Sequence, residues 1–202
     1  MYARSEHSGP AESGYPTAVK IVVSGGFGVG KTTFVGAISE IDPLLTEAAM
    51  TEVSIGVDDT TRADKTTTTV ALDFGRITLD ESLILYLFGT PGQDRFAFLW
   101  DDLVEGALGA VLLVDTGRIE DCYPAVDYFE GRGTPFVLAV NRFDSAEVFE
   151  LDEVREALDV DHNVPIVECD ARQRASVKEV LVLLIEHILL RRAIAPVGAP
   201  AR

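Results

Sequence analysis

Positive charge is scarce in this sequence. The 202 residues include 17 Lys and Arg against 33 Asp and Glu, which gives a formal net charge of −16. Such a surface repels the phosphate backbone of nucleic acids and the anionic face of a membrane. We therefore expect neither nucleic-acid binding nor a polybasic membrane anchor. A small phosphate ligand is still compatible with this charge, because a loop can bind phosphate through its local backbone N–H groups.

Cysteine and long apolar runs are scarce as well. Cys122 and Cys169 lack the spacing of a metal site and are too few for a disulfide framework. The apolar patches at 107–114 and 181–190 are too short or too interrupted for a membrane span, and the N-terminus lacks a signal-peptide pattern. We expect a cytoplasmic protein with no integral membrane segment. Peripheral membrane association through partners stays open.

One domain, residues 18–193, is predicted between two flexible tails, 1–17 and 194–202, whose composition is polar or small and aperiodic. Strands are predicted at 18–24, 68–79, 82–88, 109–115, 135–141 and 165–169, and helices at 31–41, 96–105, 119–131, 151–158 and 176–193, with a polar, irregular segment at 44–65. This alternation predicts an α/β fold with a mostly parallel six-stranded sheet and helices on both faces. Ligands bind such sheets at the carboxyl ends of the strands.

A phosphate-binding loop follows the first predicted strand. Residues 25–32 read GGFGVGKT, which matches G-x-x-x-x-G-K-[ST] between a strand and a helix. We expect Lys31 to bridge the terminal phosphates and the Thr32 hydroxyl to coordinate Mg²⁺. The motif does not choose between ATP and GTP. The predicted phosphate-binding residues are Gly25, Gly26, Phe27, Gly28, Val29, Gly30, Lys31, Thr32 and Thr33.

A base-reading loop is predicted after the fifth strand. Asn141, Arg142 and Asp144 stand in a segment that resembles the N-K-x-D motif of GTPases, with Arg in place of Lys. A carboxylate at Asp144 can accept hydrogen bonds from the ring N–H and the exocyclic amine of guanine, a pair of donors that adenine lacks. We expect Asn141 to bind the base edge and to tie this loop to the phosphate loop. Arg142 would stack its stem over the base.

A second base-reading loop is predicted after the sixth strand, where Asp170, Ala171 and Arg172 resemble the S-A-K loop of small GTPases. The resemblance implies that the Ala171 N–H meets the guanine oxygen and that Arg172 packs on the base. Two such loops at the ends of consecutive strands favour guanine.

A switch segment is predicted where the third strand ends, at residues 87–96. This segment resembles the D-x-x-G-Q motif of Ras-like GTPases. The resemblance implies that the Gly92 N–H contacts the γ-phosphate and that Gln93 orients the attacking water, so Gln93 and Lys31 are the candidate catalytic residues. Gly89 stands where the motif has its aspartate, and we expect weaker metal binding, weaker GDP retention, or both. Asp115 either helps the metal through water or holds local loops.

The first switch is predicted within residues 56–69, where a threonine is needed before the second strand. Thr66, Thr67, Thr68 and Thr69 are all available, and the strand register favours Thr69 as a metal ligand beside Thr32. Arg62 acts either as an arginine finger in cis or as a solvated loop residue. Phe27 is bulky for its position beside the γ-phosphate, and we expect it to crowd Gln93 and to slow intrinsic hydrolysis.

Together these motifs resemble the small Ras-like GTPase superfamily over about residues 18–192. Residues 72–76, Pro91 and the missing switch aspartate resemble bacterial Mgl-type GTPases, and residues 87–98 with 170–172 resemble the conservon-type GTPases, which are ATP/GTP-binding proteins. The resemblance implies GTP or GDP with Mg²⁺, a Roadblock/LC7-type regulator with a sensor-kinase complex, and a role as a signalling switch. Two alternatives remain: a nucleotide-dependent scaffold with little or no hydrolysis, and an ATP-using P-loop protein.

Overall fold

The computed structural model describes residues 16–42, 44–51, 67–92, 98–144 and 147–194, with the backbone alone described at 44–51, 67–71 and 194. Most of the predicted tails lie outside these residues. So do Arg62, Thr66 and Gln93.

The described elements alternate along the chain. The strands are β1 Thr17–Ser24, β2 Leu44–Thr51, β3 Thr67–Asp80, β4 Leu83–Gly89, β5 Gly109–Val114, β6 Phe136–Asn141 and β7 Ile166–Cys169. The helices are α1 Lys31–Ile38, α2 Trp100–Val104, α3 Tyr123–Arg132, α4 Leu151–Leu158 and α5 Arg174–Ile194, and a 3-10 segment covers Thr116–Cys122.

The strands form one sheet in the order β2-β3-β4-β1-β5-β6-β7. The strand β3 is antiparallel to β2 and β4, and the other neighbours are parallel. The expected mostly parallel α/β sheet is confirmed. It has seven strands rather than six, because residues 44–51, expected to be irregular, form β2. The sequence of this strand lacks the alternation of apolar and polar residues that predicts a strand. Its ladder of hydrogen bonds comes from pairing along the long β3.

Helices cover both faces of the sheet, as expected. On one face, α1 and α5 pack on the central strands around Phe34 and Leu184. On the other face, α2, α3 and α4 pack around Trp100 and Phe129. Every residue of β5 and of β6 is buried, which explains their continuous apolar sequences. Among the described residues, no helix combines the length and the apolar character needed to cross a bilayer.

Helix ends differ from the sequence expectation where side chains from distant segments act as caps. The helix α1 ends at Ile38 rather than at residue 41, and Arg174 donates hydrogen bonds to the carbonyls of Ala37 and Ile38. The helix α5 begins at Arg174, two residues before the predicted start at Ser176. The Ser176 hydroxyl instead accepts a hydrogen bond from the Asp170 N–H at 3.0 Å.

Candidate nucleotide-binding site

The phosphate loop connects β1 to α1, and its last glycine adopts a conformation that favours glycine. Gly30 has φ of 107°, and a Cβ there would lie 2.7 Å from Nδ2 of Asn141. Lys31 is buried, and its ammonium donates hydrogen bonds to the carbonyls of Gly25 at 2.8 Å and Gly26 at 2.6 Å. Burial lowers the pKa of Lys31 to about 8, although the charge of Asp73 opposes this shift. The predicted lysine is therefore held at the centre of the loop.

A cavity of about 400 Å³ adjoins this loop. Its lining combines the phosphate loop, β3 and the predicted switch segment at residues 87–96, which we call the second switch. The lining residues are Phe27, Gly28, Gly30, Lys31, Thr32, Thr33, Asp73, Thr90, Pro91 and Gly92. Phe27, which is 62% exposed, is part of this lining. The fold thus brings the predicted phosphate-binding residues and the described part of the second switch to one place.

The second switch begins as an anchored segment. The Thr90 N–H donates to the Val23 carbonyl, and the buried Thr90 hydroxyl donates to Ser24 Oγ at 2.9 Å. Two residues later, a Cβ on Gly92 would lie 2.6 Å from Lys31 Nζ and 2.9 Å from the Gly26 carbonyl oxygen. Gly92 therefore packs directly on the phosphate loop and its lysine, a position that leaves no room for a side chain.

Asp73 on β3 occupies the space beside Gly89. The β3–β4 register pairs Phe74 with Phe88, which brings Asp73 next to Gly89. A Cβ on Gly89 would lie 2.9 Å from the Asp73 Cβ and 3.0 Å from its Oδ2. The Thr32 hydroxyl donates to that same Oδ2 at 2.8 Å. A carboxylate thus stands beside the predicted metal-binding hydroxyl, although it comes from a neighbouring strand.

This position of Asp73 was not predicted from the sequence, where the residue stood only within the segment 72–76 that resembles Mgl-type GTPases. The signal was the hairpin between β3 and β4. Counting back from the turn after Asp80 along an antiparallel pair places Asp73 opposite Thr90, and the register shift between Thr78 and Asp80 moves it by one residue, to Gly89.

The donor set at this point suits Mg²⁺. Thr32 Oγ1 and Asp73 Oδ2 are oxygen atoms, which this ion prefers. Within the described ranges, no three His, Cys, Asp or Glu side chains form a metal cluster, so phosphate oxygens and water would complete the coordination. Thr69 precedes Asp73 by four residues on β3, roughly 13 Å along a strand. Its predicted role as a second metal ligand would require this part of β3 to rearrange.

Asn141 joins the phosphate loop to both predicted base-reading loops. The side chain is buried at the end of β6. Its Nδ2 donates to the Val29 carbonyl at 2.8 Å, and its Oδ1 accepts from the Ala171 N–H at 3.0 Å. Three loops that are far apart in sequence therefore meet at one carboxamide.

Charged side chains at the base-reading end pair with one another. The Arg172 guanidinium donates to both carboxylate oxygens of Asp144, at 3.1 and 3.2 Å, and also to Asp170. Hydrogen bonds from Arg172 and Gln173 hold the pKa of Asp170 well below its usual range. The Asp144 side chain remains 84% exposed. A base that used Asp144 would replace Arg172 as its hydrogen-bond partner.

A cavity of about 420 Å³ lies beside these residues, and its lining includes Asn141, Arg142, Asp144, Asp170 and Arg172. The Arg142 head pairs with Glu168. Because Arg142 lines this cavity, the aliphatic stem of its side chain can stack on a base as predicted, while its guanidinium pairs with Glu168.

Asp115 follows β5 and serves the local turn. Its carboxylate accepts from the Gly117 N–H at 3.0 Å and from the Arg118 guanidinium at 2.9 and 3.1 Å. Of the two roles open in the sequence, the structure shows the one that holds local loops.

Size alone does not identify the site. A larger cavity, about 850 Å³, lies between the C-terminal end of α3 and the last turns of α5, and none of the predicted site residues lines it.

Comparison with known families places the chain. A family model described as "Conserved hypothetical ATP binding protein" matches residues 23–191. The chain belongs to this family. The match begins within β1 and ends in α5, so it covers the phosphate loop, the described switch residues and both base-reading loops.

The chain is also similar to individual proteins in sequence or in fold. A Ras-related protein, RABC2a of Arabidopsis thaliana, is 29% identical over 182 residues, 85% of this chain and 78% of that protein. An uncharacterised protein of Methanocaldococcus jannaschii is 26% identical over 132 residues, 64% of this chain and 73% of that protein. The G domain of the T. maritima FeoB iron transporter superposes with a TM-score of 0.57 at 19% identity, over 85% of this chain and 99% of that chain, which is a likeness of fold. The chain is a nucleotide-binding protein with the P-loop fold of G domains.

Proposed function

We propose that this protein binds GTP and GDP with Mg²⁺ and hydrolyses GTP slowly, as a regulatory switch. The observation that carries the proposal is the Asn141 carboxamide, which joins Val29 of the phosphate loop to Ala171 of the second base-reading loop. This link favours a single ligand that has phosphates at one end and a base at the other.

The choice of guanine rests on the donors and acceptors near Asp144. Arg172 presents a pair of N–H donors to the two oxygens of this carboxylate, and the ring N–H and amine of guanine form a comparable pair. Guanine can therefore take over the bonds that Arg172 makes. Arg172 would then pack on the base, and the Ala171 N–H would turn from Asn141 to the guanine oxygen.

The metal part of the proposal rests on Thr32 and Asp73. A bound Mg²⁺ would neutralise charge on the terminal phosphates. Thr32 would contribute its hydroxyl oxygen, and Asp73 would orient that hydroxyl and add the carboxylate that Gly89 lacks. We therefore propose that the weakening expected from Gly89 is largely offset by Asp73.

Slow hydrolysis is supported by the surroundings of the terminal phosphate. Phe27 lines the phosphate cavity, and Gly92 packs on the loop directly before Gln93. A bulky ring at this position restricts how Gln93 and an attacking water approach. The expected result is single-turnover GTP hydrolysis slower than about one per minute, an upper limit close to the roughly 10⁻² per second of GTPases that carry an arginine finger in cis.

Base choice is the decisive test. In displacement of fluorescent GDP, GTP and GDP should compete at least 100-fold better than ATP, because ATP would leave Asp144 without its donor pair. The variant Asp144→Asn should lose about 100-fold in GDP affinity and gain affinity for XDP, because an amide can donate to the extra carbonyl of xanthine.

The matched control is Asp127→Asn, an exposed carboxylate on α3. It should leave all affinities unchanged. Unchanged GDP affinity in Asp144→Asn would remove Asp144 from the base site, and equal competition by ATP and GTP in the unsubstituted protein would overturn the choice of guanine.

Adenine is the second candidate base. The description of the family as ATP-binding favours it, and so does Arg142 in place of the lysine of N-K-x-D. The same displacement assay separates the two bases.

A nucleotide-dependent scaffold is the second candidate role. It is favoured by the exposed Phe27 at the phosphate cavity. Multiple-turnover phosphate release, with and without a candidate activator, separates a scaffold from a switch. A Roadblock/LC7-type regulator and a sensor-kinase complex enter this proposal through the resemblance of residues 87–98 and 170–172 to conservon-type GTPases. The cytoplasmic location expected in the sequence analysis belongs to the same proposal.

A further inference from the structure

Arg118 reaches the phosphate loop from the segment after β5. It lies within the 3-10 segment Thr116–Cys122, but its φ of −147° and ψ of 54° are not helical. The chain bends at this residue. The Nη2 atom of Arg118 lies 3.6 Å from the position of a Cβ on Gly28, so the guanidinium stands beside the backbone of the phosphate loop.

Two carboxylates hold the guanidinium there. The Nε and Nη2 atoms donate to Asp115 Oδ2 at 3.1 and 2.9 Å. The Nη1 atom lies 3.7 Å from Asp121 Oδ2, which is an ion pair at more than hydrogen-bond length. Within the described part of the chain, no hydrogen bond engages Nη1, so its two N–H donors remain for another acceptor. The Arg118 side chain is 45% exposed and can move.

Two carboxylates lie close to the phosphate loop beside Arg118. A Cβ on Gly26 would lie 2.5 Å from the Asp121 Cβ and 3.2 Å from its Oδ2, so Asp121 packs on the phosphate loop. Asp115 lines the same small pocket as Gly26, Phe27 and Arg118. Two carboxylates this close would repel a polyphosphate unless a cation offset them.

We propose that Arg118 is a cation in cis for the terminal phosphates of the bound nucleotide, held in place by Asp115 and Asp121. An arginine fork binds phosphate oxygens through parallel N–H donors, and Nη1 and Nη2 would supply this pair when Nη2 leaves Asp115 while Nε stays on it. Arg118 thus stabilises the triphosphate more than the diphosphate. The inference rests on the proposed function, because it requires a polyphosphate in the loop. It differs from a finger at Arg62, which would come from the first switch.

The test compares Arg118→Gln, Arg118→Lys and a matched control, Arg132→Gln. Arg132 is a similarly exposed arginine, paired with Asp101 and located on α3. The dissociation constants of GDP and of a non-hydrolysable GTP analogue are measured with Mg²⁺, together with Tm. Arg118→Gln should weaken binding of the analogue about 10-fold and of GDP about threefold, since a charged hydrogen bond to a phosphate is lost. Arg118→Lys should recover part of this loss, and Arg132→Gln should change neither constant.

The ratio of the two constants separates a phosphate contact from a structural ion pair. If Arg118→Gln lowers Tm but leaves the ratio of GTP-analogue to GDP affinity unchanged, the inference is overturned while the proposed function stands. If the unsubstituted protein prefers ATP, the guanine proposal fails and the same ratio, measured with an ATP analogue and ADP, still decides the role of Arg118. Binding of no nucleotide at all overturns both.

Discussion

The two ends of the candidate site are built differently. At the phosphate end, Lys31 is buried and is held by two backbone carbonyls, and Gly92 packs on it. At the base end, Asp144 and Arg172 form an ion pair whose side chains are 84% and 54% exposed. The buried Asn141 connects the two ends through hydrogen bonds to Val29 and Ala171.

This difference makes the phosphate end rigid and the base end adjustable. Backbone N–H groups of the loop, and a lysine held by backbone carbonyls, fix the position of a phosphate group whatever base is attached. Exposed ion pairs contribute little to stability, about 0–1 kcal/mol, so the base end can exchange partners at small cost. We therefore expect substitutions at the phosphate end to weaken the binding of every nucleotide, and substitutions at the base end to change which base is bound.

The largest effect is expected at Lys31. Lys31→Ala removes a buried ammonium that would pair with the terminal phosphates, so GDP affinity should fall about 100-fold. Displacement of fluorescent GDP measures the change. Lys178→Ala, an exposed lysine on α5, is the control and should bind as the unsubstituted protein does. A loss of less than threefold in Lys31→Ala would remove the lysine from the phosphate site.

The connection between the two ends is tested by Asn141→Ala. This change leaves the Val29 carbonyl and the Ala171 N–H without their partner. The free energy of unfolding should fall by about 2 kcal/mol, because unsatisfied buried groups are costly. Urea denaturation measures it, and the exposed Asn163→Ala is the control. Binding of GDP and of inorganic pyrophosphate to Asn141→Ala is measured as well. If this variant bound pyrophosphate more weakly but kept its GDP affinity, the bridge would not serve the base.

A smaller effect is expected at the metal. Asp73→Asn keeps the shape of the side chain but removes the charge beside Thr32 and Gly89. The Mg²⁺ concentration that half-saturates GDP binding should rise about 10-fold, close to 1.4 kcal/mol. Titration of Mg²⁺ against GDP dissociation measures it, with Asp152→Asn on α4 as the control. Identical Mg²⁺ dependence in the two variants would show that Asp73 does not replace the switch aspartate.

The smallest effect is expected at Arg142. Its head pairs with Glu168 on the protein surface. Arg142→Lys restores the residue of the N-K-x-D motif and keeps the charge, so GDP affinity should change less than about threefold, as for other exposed ion pairs. The displacement assay applies again. A change above 10-fold would mean that the base end is as rigid as the phosphate end.

The contiguous parts of the site could be predicted from the sequence. The phosphate loop is a local motif whose glycines, lysine and threonine are read directly along the chain. The ends of β6 and β7 follow apolar runs, so Asn141 and Ala171 were expected at the same edge of the sheet, and the structure joins them. The resulting fold with a mostly parallel sheet is confirmed.

Contacts between strands could not be predicted in the same way. Asp73 acts beside Gly89 through a register across two strands, and no local pattern marks a carboxylate as the substitute for another one. Arg118 reaches Gly28 because its backbone leaves the helical conformation, a feature that periodicity does not report. The strand β2 exists by pairing with β3 rather than by its own pattern. In each case the information lies in tertiary contacts.

Calorimetry with the unsubstituted protein tests the central claim most directly. GDP, GTP and ATP are titrated with and without Mg²⁺, so that the base end and the phosphate end are measured in one experiment. The account predicts saturable binding of GDP and GTP that Mg²⁺ strengthens, with ATP at least about 100-fold weaker because Asp144 would stay without its donor pair. ATP binding as tight as GTP binding, or GTP binding that ignores Mg²⁺, would contradict it.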